Sequence, residues 1–285
     1  MTGARGGRVL SSEPVLTLVA RVRALFPEAS GRTVKQWIEQ GRVAVNGAVV
    51  RQATAPVGAR DRVALGARGG VAEFPAELRL VHEDDDILVI DKPAGLLTVA
   101  TPRERERTAF HLLWGYLQAK RPPRRPFIVH RLDRETSGLL VFATSVGAKR
   151  RLQAQFEARQ VDRVYVALVH GLVRLDEGVM ESRLAEDRSL RVRPSARGRD
   201  AITRYRVLAR RRDTTVLELS LGTGRRRQIR VQLAALGHPI VGDAEHGGRP
   251  GRAGRMYLHA TRLGFAHPRD RSPVRFESAP PSGWV

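Results

Sequence analysis

The fourteen residues His130 to Ala143, HRLDRETSGLLVFA, constrain the fold of this chain more than any other segment. An apolar run, Phe127-Ile128-Val129, leads in, and a second, Leu139 to Ala143, ends it. Between them stand Asp, Arg, Glu, Thr, Ser and Gly, the residue types of a turn. The pattern predicts strand, tight loop, strand, with Asp133 where the first strand ends. Side chains alternate faces along a strand, which puts Arg131 and Asp133 on one side and Leu132 on the other. Asp133 then sits beside Arg131 and Arg134. A neighbouring guanidinium favours the charged carboxylate, which suits a nucleophile or a base better than an acid. Taken alone, Arg-x-Asp also describes a structural ion pair closing a hairpin.

The whole string resembles the signature of the RluA-type pseudouridine synthases, HRLDxxTSGLLxxA, with every fixed position present. The resemblance implies that Asp133 is the catalytic residue. It also implies an RNA substrate and an isomerisation: the bond between ribose and N1 of uracil breaks, the base rotates, and C5 takes the sugar. Nothing is oxidised or added, so no cofactor and no metal are expected. The sequence holds no phosphate-cradling glycine loop and no clustered metal-ligand spacing.

Charge agrees with a polyanionic partner. Lys and Arg number 50 against 29 Asp and Glu, a formal net charge of +21 over 285 residues. Such an excess attracts nucleic acid and speeds its encounter. Arginine, alanine and glycine are used heavily throughout, so part of the excess reflects composition rather than a binding face. There is no cysteine, which excludes disulfides, thiolate metal sites and a cysteine nucleophile. No run approaches the roughly 20 apolar residues of a membrane span, and no signal-peptide core opens the chain. The expectation is a soluble cytoplasmic protein, a monomer, with RNA as its partner and no membrane.

Residues 1–12 read as a flexible tail. Leu16, Val19, Val22 and Leu25 recur at helical steps, and a second short helix fits Arg32 to Gln40, with Gly41 as its stop. Val43-Ala44-Val45-Asn46-Gly47-Ala48-Val49-Val50 is a strong hairpin signal, and a strand fits Asp61 to Leu65. This order resembles an S4 RNA-binding domain over residues 13–66, which implies RNA contacts from Arg32, Lys35 and Arg42. Residues 67–77 read as a linker, and 78–285 as the catalytic domain.

In that domain Ile87 to Ile90 is a buried strand entering Lys92-Pro93-Ala94-Gly95-Leu96, similar to the family's first shared motif, which lies near its active site. Thr108 to Ala119 and Gly147 to Arg159 read as helices. Asp162 to Val169 alternates as a strand, with Tyr165 on the face of Arg163. In this family a tyrosine in that context stacks on the target base, and Tyr165 matches it.

The block Leu221 to Asp243 holds glycines, an arginine cluster, and Ile229, Leu233 and Leu236 at helical spacing. It predicts a helix with Arg226 and Arg230 one turn apart. It resembles the family's third motif, GRTHQIRVHLAxLGHPIxGD, whose QIR arginine pairs with the catalytic aspartate; Arg230 takes that place. Arg226-Arg227 replace Thr-His, Gln232 replaces His, and His246 stands where Tyr is common. The resemblance further assigns Arg131 to the space vacated by a flipped-out base. It places His130, Arg134, Lys92 and Arg225 among the RNA-facing residues.

The implied fold is α+β: a large, mainly antiparallel mixed sheet with flanking helices, beside a small N-terminal α+β module. Large-subunit ribosomal RNA is the favoured substrate and transfer RNA the alternative. An inactive ribosome-assembly factor would be expected to lack Asp133, Tyr165 or Arg230, and all are present. A glycosidase or a two-metal nuclease needs paired carboxylates. Glu83-Asp84-Asp85-Asp86 is the nearest such run and reads as a solvated turn.

Overall fold

The computed structural model describes residues 16–66, 73–120, 122–187, 191–251 and 253–284. The tail at 1–12 and most of the 67–77 linker lie outside them. The chain divides into two compact units, the larger comprising residues 74–117 and 124–285.

The smaller unit holds β1 (Leu16–Thr17), α1 (Leu18–Leu25), α2 (Gly31–Glu39), β2 (Val43–Val45), β3 (Ala48–Val49), β4 (Pro56–Val57) and β5 (Val63–Leu65). Thr17 and Ser30 cap the two helices by accepting the Ala20 and Thr33 amides. The apolar faces meet in a core of Leu18, Val22, Val34, Ile38, Val43 and Val57, each at most 1% exposed. Burying a side chain of this kind contributes roughly 1.5–3 kcal/mol. Between β2 and β3, Asn46 (φ 52°) and Gly47 (φ 85°) both take positive φ, as the two-residue hairpin turn requires.

The larger unit is a mixed sheet with helices against it. In chain order it runs β6 (Arg79–Glu83), β7 (Ile87–Lys92), α3 (Ala109–Ala119), β8 (Phe127–Ile128), β9 (Ser137–Ala143), α4 (Val146–Glu157), β10 (Asp162–His170) and β11 (Glu177–Glu186). It continues β12 (Val192–Pro194), β13 (Arg199–Arg210), β14 (Thr214–Leu221), α5 (Gln228–Ala235), β15 (Leu258–Ala266) and β16 (Pro273–Glu277). The strand order is β12-β11-β13-β14-β10-β15-β9-β7-β6, with β16 on β15 and β8 on β9. Among the described residues these strands pair antiparallel except β15 with β9, which is parallel over His259–Ser137 and Ala260–Gly138. At that junction Gly138 has φ 110°, and a Cβ there would lie 2.3 Å from the Ala260 carbonyl oxygen, so only glycine fits. Under β9, α4 closes a core of Ile87, Val89, Leu139, Val141, Leu152 and neighbours.

Two local expectations fail. The strand before the signature ends at Ile128, so 129–136 is loop and Asp133 does not terminate a strand. Only Phe127 and Ile128 pair with β9, because the residues that follow are held by loop contacts instead. The last helix starts at Gln228, after Arg227 in the left-handed conformation (φ 53°). Arg226 therefore precedes the helix and does not share a face with Arg230.

Candidate active site

Separate segments meet at a cavity of about 290 Å³ in the larger unit. Asp133 comes from the loop before β9, Tyr165 from β10 and Arg230 from α5, and all line it. The volume sits near the lower end of the roughly 300–1,000 Å³ usual for small-molecule sites.

The loop carrying Asp133 is clamped by the segment that follows β7. The Thr98 hydroxyl donates to the Leu132 carbonyl at 2.8 Å and accepts from the Leu132 amide at 3.2 Å. The Gly95 amide donates to the Arg134 carbonyl at 2.8 Å. Lys92 Nζ donates to that same carbonyl at 3.2 Å and to the Pro93 and Leu96 carbonyls, each at 2.8 Å. Asp133 thus lies between two residues whose backbone positions are fixed. Lys92 is fully buried, and burial pulls its pKa down to about 7 against the pull of Glu135 and Asp133. Its carbonyl partners call for the three protons of an ammonium and so favour the charged form.

Arg230 is 4% exposed and lines the cavity. Its Nη1 lies 3.4 Å from Asp133 Oδ2, and its Nη2 donates to Glu245 at 3.2 Å. Its main partner is Asp243, bonded Nε to Oδ2 and Nη2 to Oδ1. Burial opposes the guanidinium's charge, but the Asp243 carboxylate overrides that and raises its pKa. Burial likewise opposes the Asp243 charge, yet the bonds from Arg230 and His246 hold its pKa far below the carboxylate range. The outcome is a fixed, charge-assisted cation beside Asp133. Asp133, with a side chain 25% exposed, faces both Arg230 and open space.

Tyr165 is 8% exposed. Burial pushes its phenol up to about 12, against the nearby Arg163 cation and together with the Asp133 charge. It therefore stays neutral near pH 7. The arrangement offers an ionisable carboxylate, a buried cation that holds it, and a flat neutral ring, all at one small cavity.

The sequence profile of the RNA pseudouridylate synthases matches residues 86–235, and that of the S4 domain matches 17–63. The chain belongs to the RNA pseudouridylate synthase family. It is an enzyme of the isomerase class with an N-terminal S4 RNA-binding domain. A Yersinia pestis protein named ribosomal large subunit pseudouridine synthase D is 36% identical over 286 residues, covering 92% of this chain and 86% of its own. The protein of that name from Pseudomonas aeruginosa is 35% identical over 280 residues, covering 92% and 87%. In Bacillus subtilis (strain 168), an uncharacterized RNA pseudouridine synthase, YlyB, is 36% identical over 263 residues, covering 87% and 85%. Among solved structures, human RNA pseudouridylate synthase domain containing 4 superposes with a TM-score of 0.61 at 23% identity, over 73% of this chain and 90% of that one. The fold is that of the family.

The synthase places the expected residues unequally. Asp133, Tyr165, Arg230, Arg131 and Arg225 line one cavity. Neither Arg131 nor Arg134 pairs with Asp133; Arg134 donates to the Gly95 carbonyl at 3.1 Å. Lys92 does not face RNA: it is buried and bonded to the loops it joins. His130 is half-buried and lines a cavity that adjoins the first. Its Nε2 accepts the Val141 amide, its ring stacks on Phe156, and burial, then Arg163, lowers its pKa to about 3. On the S4 domain Arg32 and Lys35 are exposed on α2, whereas Arg42 lies over Trp37 and donates to the Gly66 carbonyl.

Sequence reasoning missed Thr98, Asp243 and Glu245. Asp243 and Glu245 are carboxylates in an otherwise basic block, and that contrast was a readable signal for Asp243. Nothing marked Thr98. The departures from the family motif also find places. Gln232 is buried and donates to the Met180 and Ala201 carbonyls, tying α5 to β11 and β13. His246 bonds Asp243. Among the described residues no helix is long and apolar enough to cross a membrane, and no His, Cys, Asp and Glu group could hold a metal.

Proposed function

We propose that the synthase isomerises uridines of large-subunit ribosomal RNA, with Asp133 as the catalytic carboxylate. The convergence of Asp133, Tyr165 and Arg230 on one cavity supports the assignment of roles. The names of the relatives support the substrate.

A uridine stacked in a helix cannot enter such a cavity, so the nucleotide is flipped out at a cost of a few kcal/mol. Arg131, exposed at the cavity and with no ion pair among the described residues, fills the vacated position. Tyr165 stacks on the uracil. The Asp133 carboxylate then acts on the ribose, by addition at C1′ or proton removal at C2′, and the N1–C1′ bond breaks. The base turns within the cavity and C5 bonds to C1′, as the bond from Asp133 to C1′ breaks or the proton returns to C2′, so that Asp133 ends as a free carboxylate. The C5 hydrogen leaves as a proton and N1 is protonated, so the product is an isomer of the substrate. Arg230 orients the carboxylate. On this reading one copy of the chain acts on ribosomal RNA in the cytoplasm. Arg32 and Lys35 of the S4 domain add phosphate contacts.

The test is tritium release from ribosomal RNA labelled at uracil C5, since joining C5 to the sugar expels its hydrogen. Release by the wild type and not by Asp133→Asn is expected. Release from transfer RNA alone would move the substrate, and equal release by both proteins would remove Asp133 from the chemistry.

A further inference from the structure

A second cavity, of about 540 Å³, adjoins the first and shares Arg131, Tyr165, Gly224 and Arg225 with it. It extends to Phe156, Arg159 and Arg163. The arginines around the two spaces fall into separate classes. Arg226, Arg227 and Arg230 are neutralised by Glu186, Glu245 and Asp243 respectively. Arg131, Arg159, Arg163 and Arg225 form no ion pair among the described residues, although Glu157 also lines the second cavity.

Arg163 stands out. Its guanidinium lies over the Phe156 ring, 5.6 Å from the centre, and its Nε is buried without a hydrogen-bond partner. A buried donor left unpaired costs free energy that a bound acceptor offsets. Gly224 makes room for it: a Cβ at 224 would come 2.6 Å from Arg163 Nη1. Burial also lowers the Arg163 pKa. Neutral His130, stacked on Phe156, adds no charge to the wall. The second cavity is therefore cationic, partly desolvated and without a counter-charge on its arginines, and it opens beside the catalytic carboxylate.

We propose that this cavity is an anion subsite for the phosphodiester that flanks the uridine held at Asp133. The inference rests on the RNA reading above and extends it. A strand leaving the reaction cavity carries one charge per linkage, and a guanidinium fork matches phosphate oxygens bidentately. Contacts of this kind position the strand without reading its sequence.

The test compares the binding of a large-subunit ribosomal RNA transcript to the full-length wild type, Arg163→Gln, Arg159→Gln and Arg275→Gln over a range of KCl. Arg275 is exposed on β16 and paired with Glu277. Arg163→Gln is expected to weaken binding about tenfold and to reduce the slope of log Kd against log salt by about one. Arg159→Gln changes both in the same sense, and Arg275→Gln changes neither. Arg163→Lys restores the slope. An unchanged slope in Arg163→Gln, or equal losses in Arg163→Gln and Arg275→Gln, overturns the subsite. If melting shows that Arg163→Gln does not fold, Arg159→Gln decides by the same criteria. Tritium release by the wild type, run in parallel, reports the catalytic reading separately: no release with intact differential binding would remove the reaction and leave the subsite.

Discussion

Arg230 and Asp243 form a fork-to-fork ion pair, Nε to Oδ2 and Nη2 to Oδ1, both at 2.7 Å. The guanidinium's remaining nitrogen, Nη1, points at Asp133. The buried carboxylate therefore fixes the cation, and the cation fixes the carboxylate proposed for catalysis.

Asp243→Asn is expected to lower kcat more than it lowers RNA affinity, because Arg230 loses the group that aims it. It also leaves a buried cation without its main counter-charge, a change that costs roughly 3–5 kcal/mol. Single-turnover rates and chemical denaturation measure the two effects. A stability loss with a wild-type rate would make the pair purely structural.

Asp133→Asn removes the charge and keeps the shape. Turnover is expected to fall on the order of 10³-fold, with RNA binding nearly intact because Arg131 and Arg163 remain. Filter binding beside tritium release separates the two. Affinity lost in parallel with rate would argue against a chemical role.

Lys92→Met keeps most of the side-chain volume and deletes the donor shared by the Pro93, Leu96 and Arg134 carbonyls. Unsatisfied buried acceptors cost about 1–3 kcal/mol each. A drop of a few kcal/mol in unfolding free energy is expected, together with loss of activity as the Asp133 loop loosens. A variant as stable as wild type would mean that the clamp works without its ammonium.

His130 gives a pH signature. Its folded pKa of about 3 lies below that of the unfolded chain, about 6.5. The unfolded state binds the extra proton between those values, so this contribution to stability is complete above about 6.5 and is lost as pH falls toward 3. His130→Gln should flatten the decline of the urea midpoint between pH 7 and pH 5 relative to wild type. Parallel declines would assign the acid sensitivity to other groups.

Arg32→Gln with Lys35→Gln alters exposed positions of α2 and leaves the S4 core of Val34 and Ile38 untouched. Weaker RNA binding with a shallower salt dependence is expected. An identical salt slope would remove both residues from the RNA contact.

The two helices and the Asn46-Gly47 hairpin of the S4 domain were legible because their determinants are local: caps, apolar spacing and positive φ. The HRLD and QIR strings likewise announced Asp133 and Arg230. Long-range partners were not legible. No spacing rule brings Thr98 to Leu132 or Asp243 to Arg230, since the sheet and the loop clamps make those contacts. Lys92 misled for a related reason: a lysine usually means exposed charge, and here burial among carbonyls gives it structural work.

The parallel pairing of β15 with β9, His259 and Ala260 against Ser137 and Gly138, divides the sheet between the strands that carry the Asp133 loop and those that carry Tyr165. One residue of slip along a strand is about 3.3 Å, and catalytic groups tolerate displacements of only about 0.5 Å. The distance from Asp133 to Tyr165 is therefore gauged by strand register at Gly138, where any side chain would collide with the neighbouring backbone. A substitution there would act as a ruler with its zero moved: every residue of the site present, and the two halves measured from different origins.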